Sequence, residues 1–241
     1  MMPSKIVRRI VLPGSDMTEA NCTIRHLKEK LVTLFSEENP QATLIAICHM
    51  PPRKVVNALL PFFCSQEPHH FWQAVTAMGA VVSLLAAENA ESARVVMRRL
   101  MWNLNDESGG IGWGSAEAMG EIMARNELMA DEYAHVLISY IDPGGNFIDN
   151  PALQRGILWA LGRMAPERPR QTGAASELLV PFLSSPDTIL RGLAARAAAA
   201  MPCHATNPLI RTLYSDNEVI SLYMSGKLCE RTIGSLAQSC P

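Results

Sequence analysis

The chain repeats itself at intervals of about forty residues, and no other feature constrains its fold as strongly. Leu59–Ala77 (LLPFFCSQEPHHFWQAVTA) matches Leu178–Ala197 (LLVPFLSSPDTILRGLAARA). Pro61-Phe62 corresponds to Pro181-Phe182, Ser65 to Ser185, and Ala74 and Ala77 to Ala194 and Ala197. The offset is 120 residues, three periods of 40. A second series agrees: Ala77-Met78-Gly79, Ala118-Met119-Gly120 and Ala160-Leu161-Gly162, whose glycines lie 41 and 42 residues apart. Inside each block the apolar residues fall at helical steps of three and four, as in Val75, Met78, Val82 and Leu85, or Leu153, Ile157, Leu158, Leu161 and Met164. Pro52, Pro151 and Pro208 stand where first-turn prolines belong, and Asn150 and Ser185 are placed to cap the helices that follow. Thr43–Ile47 is a weak strand candidate that fits a short helix equally well.

A lone pair of helices cannot bury its apolar face, whereas stacked pairs share one continuous core. The spacing predicts pairs at about 40–65, 67–105, 114–141, 149–184 and 186–215, closed by a C-terminal helix. The small residues Gly79, Gly120, Gly162 and Ala194–Ala200 would let neighbouring helices approach closely. The stretch Leu178–Met201, with Asp187 in its turn and Arg191 four residues on, resembles the HEAT-repeat (armadillo-like) family; Asn207–Tyr223, with Asp216, echoes it. Phe71 stands where the pattern would have an arginine. The turn NDESGGIGWG is similar to one in bacterial HEAT proteins of no assigned activity. The resemblance implies an all-α fold, a right-handed α-α superhelix of HEAT-like helix pairs. Residues 1–16 read as an N-terminal arm and 17–241 as one superhelical domain.

With 241 residues, 48% of them hydrophobic, the chain can bury a substantial core. By inspection no apolar run reaches the ~20 residues of a membrane span, and the basic N-terminus lacks a signal-peptide core. Six scattered cysteines without a CxxC pair fit a reducing compartment, so the expected location is cytoplasmic. Net charge is −2, yet Leu104–Asp149 holds nine acids against Arg125 alone, leaving +6 for the remainder. Such a middle repels phosphate and attracts cations or basic partners.

Candidate sites follow from these patterns. The Gly-rich turns Asn103–Gly120 and Ile141–Asn150 occupy successive joints between pairs and should lie along one edge. Their local reading is helix termination, with glycine and Asx residues ending and capping helices. Their functional reading is a binding edge for a partner or cation: Asn105, Asp106, Glu107, Gly109, Gly110, Asp142, Asn146 and Asp149, with Trp113 and Phe147 as apolar anchors. Glu117 and Glu121 lie one turn apart and suit either acid–base work or ion pairs with Arg98, Arg99 or Arg125. Glu132, His135 and Ser139 share a helix expected to line the concave face, but the nucleophile elbow GxSxG is absent. Cys48-His49, Cys64 and His69-His70 offer zinc-type ligands at a position that aligns with an ordinary joint, and no metal or cofactor is expected. Arg94, Arg98 and Arg99 form a basic helix edge.

The expected function is a non-catalytic protein-binding scaffold or adaptor. Its concave face and acidic Gly-rich edge would receive another protein through a basic segment, anchored on Trp102, Trp113, Tyr133 and Tyr140. Trp102 and Tyr140 also suit an inter-helix core. The alternative is an enzyme or accessory factor like the HEAT-like DNA alkylation-repair glycosylases, or a metal site on the acidic edge. Nucleic acid is disfavoured by the acidic middle, and no membrane partner is expected.

Overall fold

The computed structural model describes residues 23–105, 112–201 and 203–239. Residues 1–16, expected to form an N-terminal arm, and Asp106, Glu107, Gly109 and Gly110 of the first Gly-rich turn, lie outside the described residues. The chain folds into successive antiparallel helix pairs. Helix α1 (Ile24–Phe35) precedes α2 (Pro40–Cys48) and α3 (Pro52–Leu59), the last continued by a tight turn to Cys64. Then come α4 (Pro68–Glu88) with α5 (Ala90–Leu104), and α6 (Ser115–Arg125) with α7 (Glu127–Ser139). Helix α8 (Pro151–Met164) is followed by a broken second layer, α9 (Pro169–Thr172) and α10 (Val180–Leu183). Helix α11 (Thr188–Ala200) pairs with the short α12 (Asn207–Thr212). These limits reproduce the five pairs expected from the repeat, and the fold is an all-α superhelix.

Local chemistry sets the boundaries. Asn89 and Asn126 each end one helix and cap the next, accepting the amides of Ser92 and Met129. A single asparagine in extended conformation thus turns the chain within a pair. Asn150 caps α8 through the amides of Ala152 and Leu153, as expected. Before α11 the cap is Asp187 rather than Ser185; the serine Oγ accepts the amide of Asp187 instead, closing the turn that presents the carboxylate. Thr43–Ile47 is helical, within α2.

The repeat is legible in the polar ties between neighbours. Arg94 grips Glu132 at 2.6 and 2.7 Å, Arg99 donates to Asn57, Arg53 to Ser92, Gln171 to Asp131 and Arg170 to Glu127. Each pair spans between 38 and 43 residues, one repeat. The joints carry their own ladder: Arg155 donates to Asp187 at 2.6 Å, and Arg191 to Asp216 at 3.0 Å.

One row of helices, α4, α6, α8 and α11, is drawn tightly together, while α5 and α7 of the other row touch sparingly. Small residues allow the close spacing. A Cβ on Gly79 would lie 2.9 Å from Glu121 Cβ, and one on Gly120 would lie 2.6 Å from Ala160 Cα. The tight row is therefore the inner, concave side of the curve, and α7 belongs to the outer side. This corrects the expectation that the helix bearing Glu132, His135 and Ser139 lines the concave face. Helix α4, 21 residues long, is also apolar enough by composition to cross a membrane, contrary to the reading by inspection. More than half of that window is buried within the stack.

The C-terminus departs from the repeat. Ahead of the expected closing helix, Val219–Met224 (β1) and Lys227–Thr232 (β2) form an antiparallel hairpin, with Ile220 opposite Arg231 and Leu222 opposite Cys229. Its two-residue turn, Ser225-Gly226, has positive φ at both positions (52° and 85°), the geometry that matches strand twist. The hairpin folds back across the concave row. The side chain of Ile220 lies against Gly192 of α11, and Tyr223 stacks on Trp72 of α4 at 4.9 Å between nearly parallel rings. Tyr223 also shares a hydrogen bond with Thr76 Oγ1 (3.2 Å), and Trp159 of α8 donates to its carbonyl at 3.1 Å. A short helix, α13 (Ile233–Ala237), then packs on α11.

Candidate functional site

Two surfaces hold the chemistry: the edge where the Gly-rich joints meet, and the concave cleft beneath the hairpin.

At the edge, the described start of the first joint meets the start of the second. Asn105 ends α5 and donates through Nδ2 to Met101 O and to the Tyr140 hydroxyl, at 2.8 and 3.0 Å. Tyr140 in turn accepts the amide of Ile148 on its carbonyl, which fixes the second joint beside the first. Asp142 caps that joint by accepting the amide of Gly144, and Asn146 donates to Ser139 Oγ. The second turn thus satisfies its own backbone, as helix terminations do. Large apolar groups nevertheless stand free nearby: Trp102 is 76% exposed, Phe147 41% and Trp113 40%. The exposure of Trp102 overturns its reading as inter-helix core. Tyr140 is buried, as a core residue should be, with its hydroxyl held by Asn105 and its acidity suppressed by burial.

The remaining expected site residues do not join that edge. Glu117 is half-buried, its carboxyl end against the Cα of Gly156 in α8. Burial pushes its pKa up to about 7. Glu121, one turn on, is 5% exposed and faces the concave cleft, where Arg163 Nε stands 2.6 Å from one carboxylate oxygen and Arg125 donates to the other at 3.1 Å. Of the expected partners only Arg125 reaches it; Arg98 pairs with Glu91 and Arg99 with Asn57. Tyr133 is buried in α7 beside Arg98, and burial raises its pKa. No triad forms on α7: Glu132 is engaged by Arg94, Ser139 Oγ donates to Val136 O, and His135 lies exposed. Three of the acids in the negative middle, Glu121, Glu127 and Glu132, are met by arginines from outside it. The expected acidic field is correspondingly weaker. The zinc-type ligands are also engaged otherwise: His70 packs against the rings of Phe35 and Phe62, and His69 hydrogen-bonds Gln73. Among the described residues no group of three His, Cys, Asp or Glu side chains is arranged to hold a metal.

The cleft was not anticipated. It encloses about 580 Å³ between the concave ends of α4, α6, α8 and α11, the start of α2, and the hairpin turn. Arg125, Arg163 and Arg196 enter it from three successive repeats, against the carboxylates of Glu121 and Glu167. Arg196 runs its stem along Gly162 and sets its guanidinium over the Trp159 ring, 5.8 Å from the centroid. Its Nη1 is buried with no hydrogen-bond partner among the described residues. Burial, and next the charge of Arg163, bring its pKa down to about 10.

No protein-family model matches the chain, and no curated protein matches it in sequence. Solved structures do resemble it. An engineered protein from the Northeast Structural Genomics Consortium superposes with a TM-score of 0.50 at 18% identity, over 88% of this chain and 93% of that one. A designed armadillo repeat protein gives a TM-score of 0.47 at 14% identity, over 87% of this chain and 96% of that one. The first of these likenesses concerns the fold alone, and it agrees with the stacked helices seen here: the chain has a helical-repeat fold.

Proposed function

We propose that the protein is a non-catalytic binding scaffold of HEAT-type repeats that takes another protein on the edge formed by the α5–α6 and α7–α8 joints. The observation that carries this reading is Trp102, three-quarters exposed at the end of a well-packed helix, with Trp113 and Phe147 on the adjoining joints. An exposed tryptophan on a rigid element is a strong candidate anchor, since it gains a large apolar burial on docking and loses little conformational freedom. Asp142 and Asp149, with Asp106 and Glu107 of the first turn, favour a partner that brings a basic segment. The Arg155–Asp187 and Arg191–Asp216 ladder supports the HEAT assignment, because the same acid–arginine pattern carries the sequence resemblance.

The test is crosslinked capture from cell extract followed by mass spectrometry, with three variants beside the wild type. Trp102→Ala and Trp113→Ala should each lose the captured partner, while Trp102→Ala keeps the wild-type melting temperature because its side chain is exposed. Asp106→Ala with Glu107→Ala should weaken capture and reduce its sensitivity to salt. A partner retained undiminished by all three variants refutes the edge as the binding surface.

A further inference from the structure

We infer that the cleft under the C-terminal hairpin is a binding site for a small oxyanionic ligand, a carboxylate or a phosphate ester, gripped by Arg196, Arg163 and Arg125. This site is separate from the partner edge and does not depend on it.

A guanidinium carries five N–H donors. Among the described residues, that of Arg196 makes a ring contact with Trp159 and no hydrogen bond or ion pair. Other partly buried arginines among the described residues have acceptors, as Arg94 has Glu132 and Arg191 has Asp216 and Glu218; Arg155 Nε is also left without one, but its Nη2 is bound to Asp187. Burying a charge without a partner is costly, and a bound oxyanion would remove that cost by accepting from the fork of donors. The surroundings hold Arg196 in place. Its stem passes over Gly162, and Trp159 is fixed beneath it by the hydrogen bond to Tyr223 O.

Arg163 and Arg125 supply the second half of the grip. Both already share Glu121, which keeps them extended into the cleft rather than out in solvent. Glu121 therefore has two opposed effects: it positions two arginines and it competes with the ligand for them. Glu167 stands farther off, 3.8 Å from Arg163, and is more than half exposed. Three guanidiniums against two carboxylates leave the cleft positive. Its volume admits a molecule the size of a small metabolite, and the hairpin turn that walls one side bars a nucleic-acid duplex.

The experiment follows tryptophan fluorescence, to which Trp159 and Trp72 contribute beside the exposed Trp102 and Trp113, as the full-length protein is titrated with inorganic phosphate or with succinate. Sodium chloride at equal ionic strength is the control. We expect a saturable change with one of the two anions, which identifies the head group, and none with chloride. The same anion should raise the melting temperature of the wild type in proportion to the logarithm of its concentration. Arg196→Gln should weaken binding at least tenfold, and Arg196→Lys should recover part of the loss. Glu121→Gln should bind severalfold more tightly, a gain that structural damage does not produce. Should Arg196→Gln fail to fold, Arg163→Gln and the wild-type melting shift carry the decision. The proposal is overturned if neither anion binds saturably, if Arg196→Gln binds as tightly as the wild type, or if a duplex oligonucleotide occupies the same arginines.

Discussion

Two glycines of the same series make opposite predictions. Gly120 of α6 lies against α8 so closely that a Cβ there would stand 2.6 Å from Ala160 Cα and nearer still to Ala160 Cβ. Carbon atoms in contact sit about 3.5–4.0 Å apart, so α6 and α8 would have to separate by about an ångström. The obstacle is backbone and a methyl group, neither of which can swing aside. Overpacking of this kind costs about 1–3 kcal/mol, and a rigid obstacle places it at the upper end. Alanine also gains about 1 kcal/mol of helix propensity over glycine. The net expectation for Gly120→Ala is a loss of about 2 kcal/mol. At Gly162 the same methyl would meet Ala197 N and the stem of Arg196 at 3.5 Å, ordinary contact. There the propensity gain stands unopposed, and Gly162→Ala should stabilise by about 0.5–1 kcal/mol. Urea denaturation measures both. With a slope of about 2 kcal/mol/M, Gly120→Ala should lower the midpoint by about 1 M and Gly162→Ala should raise it slightly, at unchanged slope. Midpoints that move in the same direction would refute the tight inner row.

Further outcomes test other parts of the fold. The Glu117 carboxyl titrates near 7 in the native state against a usual value of 4.5. A raised native value means that the native state binds the extra proton, so the contribution is fully present below about pH 4.5 and is lost as pH rises through about 7. Glu117→Gln should flatten the pH profile of stability between those limits and leave the variant about 1–2 kcal/mol more stable than wild type at pH 8, allowing for the part of the residue that reaches water. Tyr223→Ala removes the stack on Trp72 and the tie to Thr76. It should cost about 3 kcal/mol and speed proteolysis at Ser225-Gly226, as read by denaturation and limited digestion. Asp187→Ala strips the cap from the amides of Ile189 and Leu190 and leaves Arg155 without its carboxylate. A loss of about 2 kcal/mol is expected, and Asp187→Asn, which can still cap, should recover about half of it.

The helix pairs were readable because each repeat must solve the same packing problem with the same residues. Gly79, Gly120 and Gly162 recur where the inner helices approach, and the prolines and asparagines recur at their starts. The hairpin was hidden by that regularity. Asn207–Tyr223 carries the repeat's own signature as far as Asp216, and only afterwards does the chain change register. The signal available was Ser225-Gly226 between VISLYM and KLCERT, a turn pair set between two β-prone runs. At the edge, the adjoining of the two joints followed from the period alone, whereas the exposure of Trp102 depends on which way α5 faces. The cleft was beyond reach of sequence. Its three arginines stand 38 and 33 residues apart, an arginine every thirty-odd residues is unremarkable in any chain, and the wall that completes the cleft is the unforeseen hairpin.

The clasp between Tyr223 and Trp72 joins residues about 150 positions apart, and it has a consequence for how such a chain can evolve. A solenoid whose units touch only their neighbours can gain or lose a unit at small expense, because nothing at one end measures the distance to the other. Here the tail reaches back over α8 to α4 and acts as a ruler. Inserting or deleting one copy between those helices would leave the tyrosine facing the wrong floor, so this array has a fixed length and should melt as one body rather than fray unit by unit.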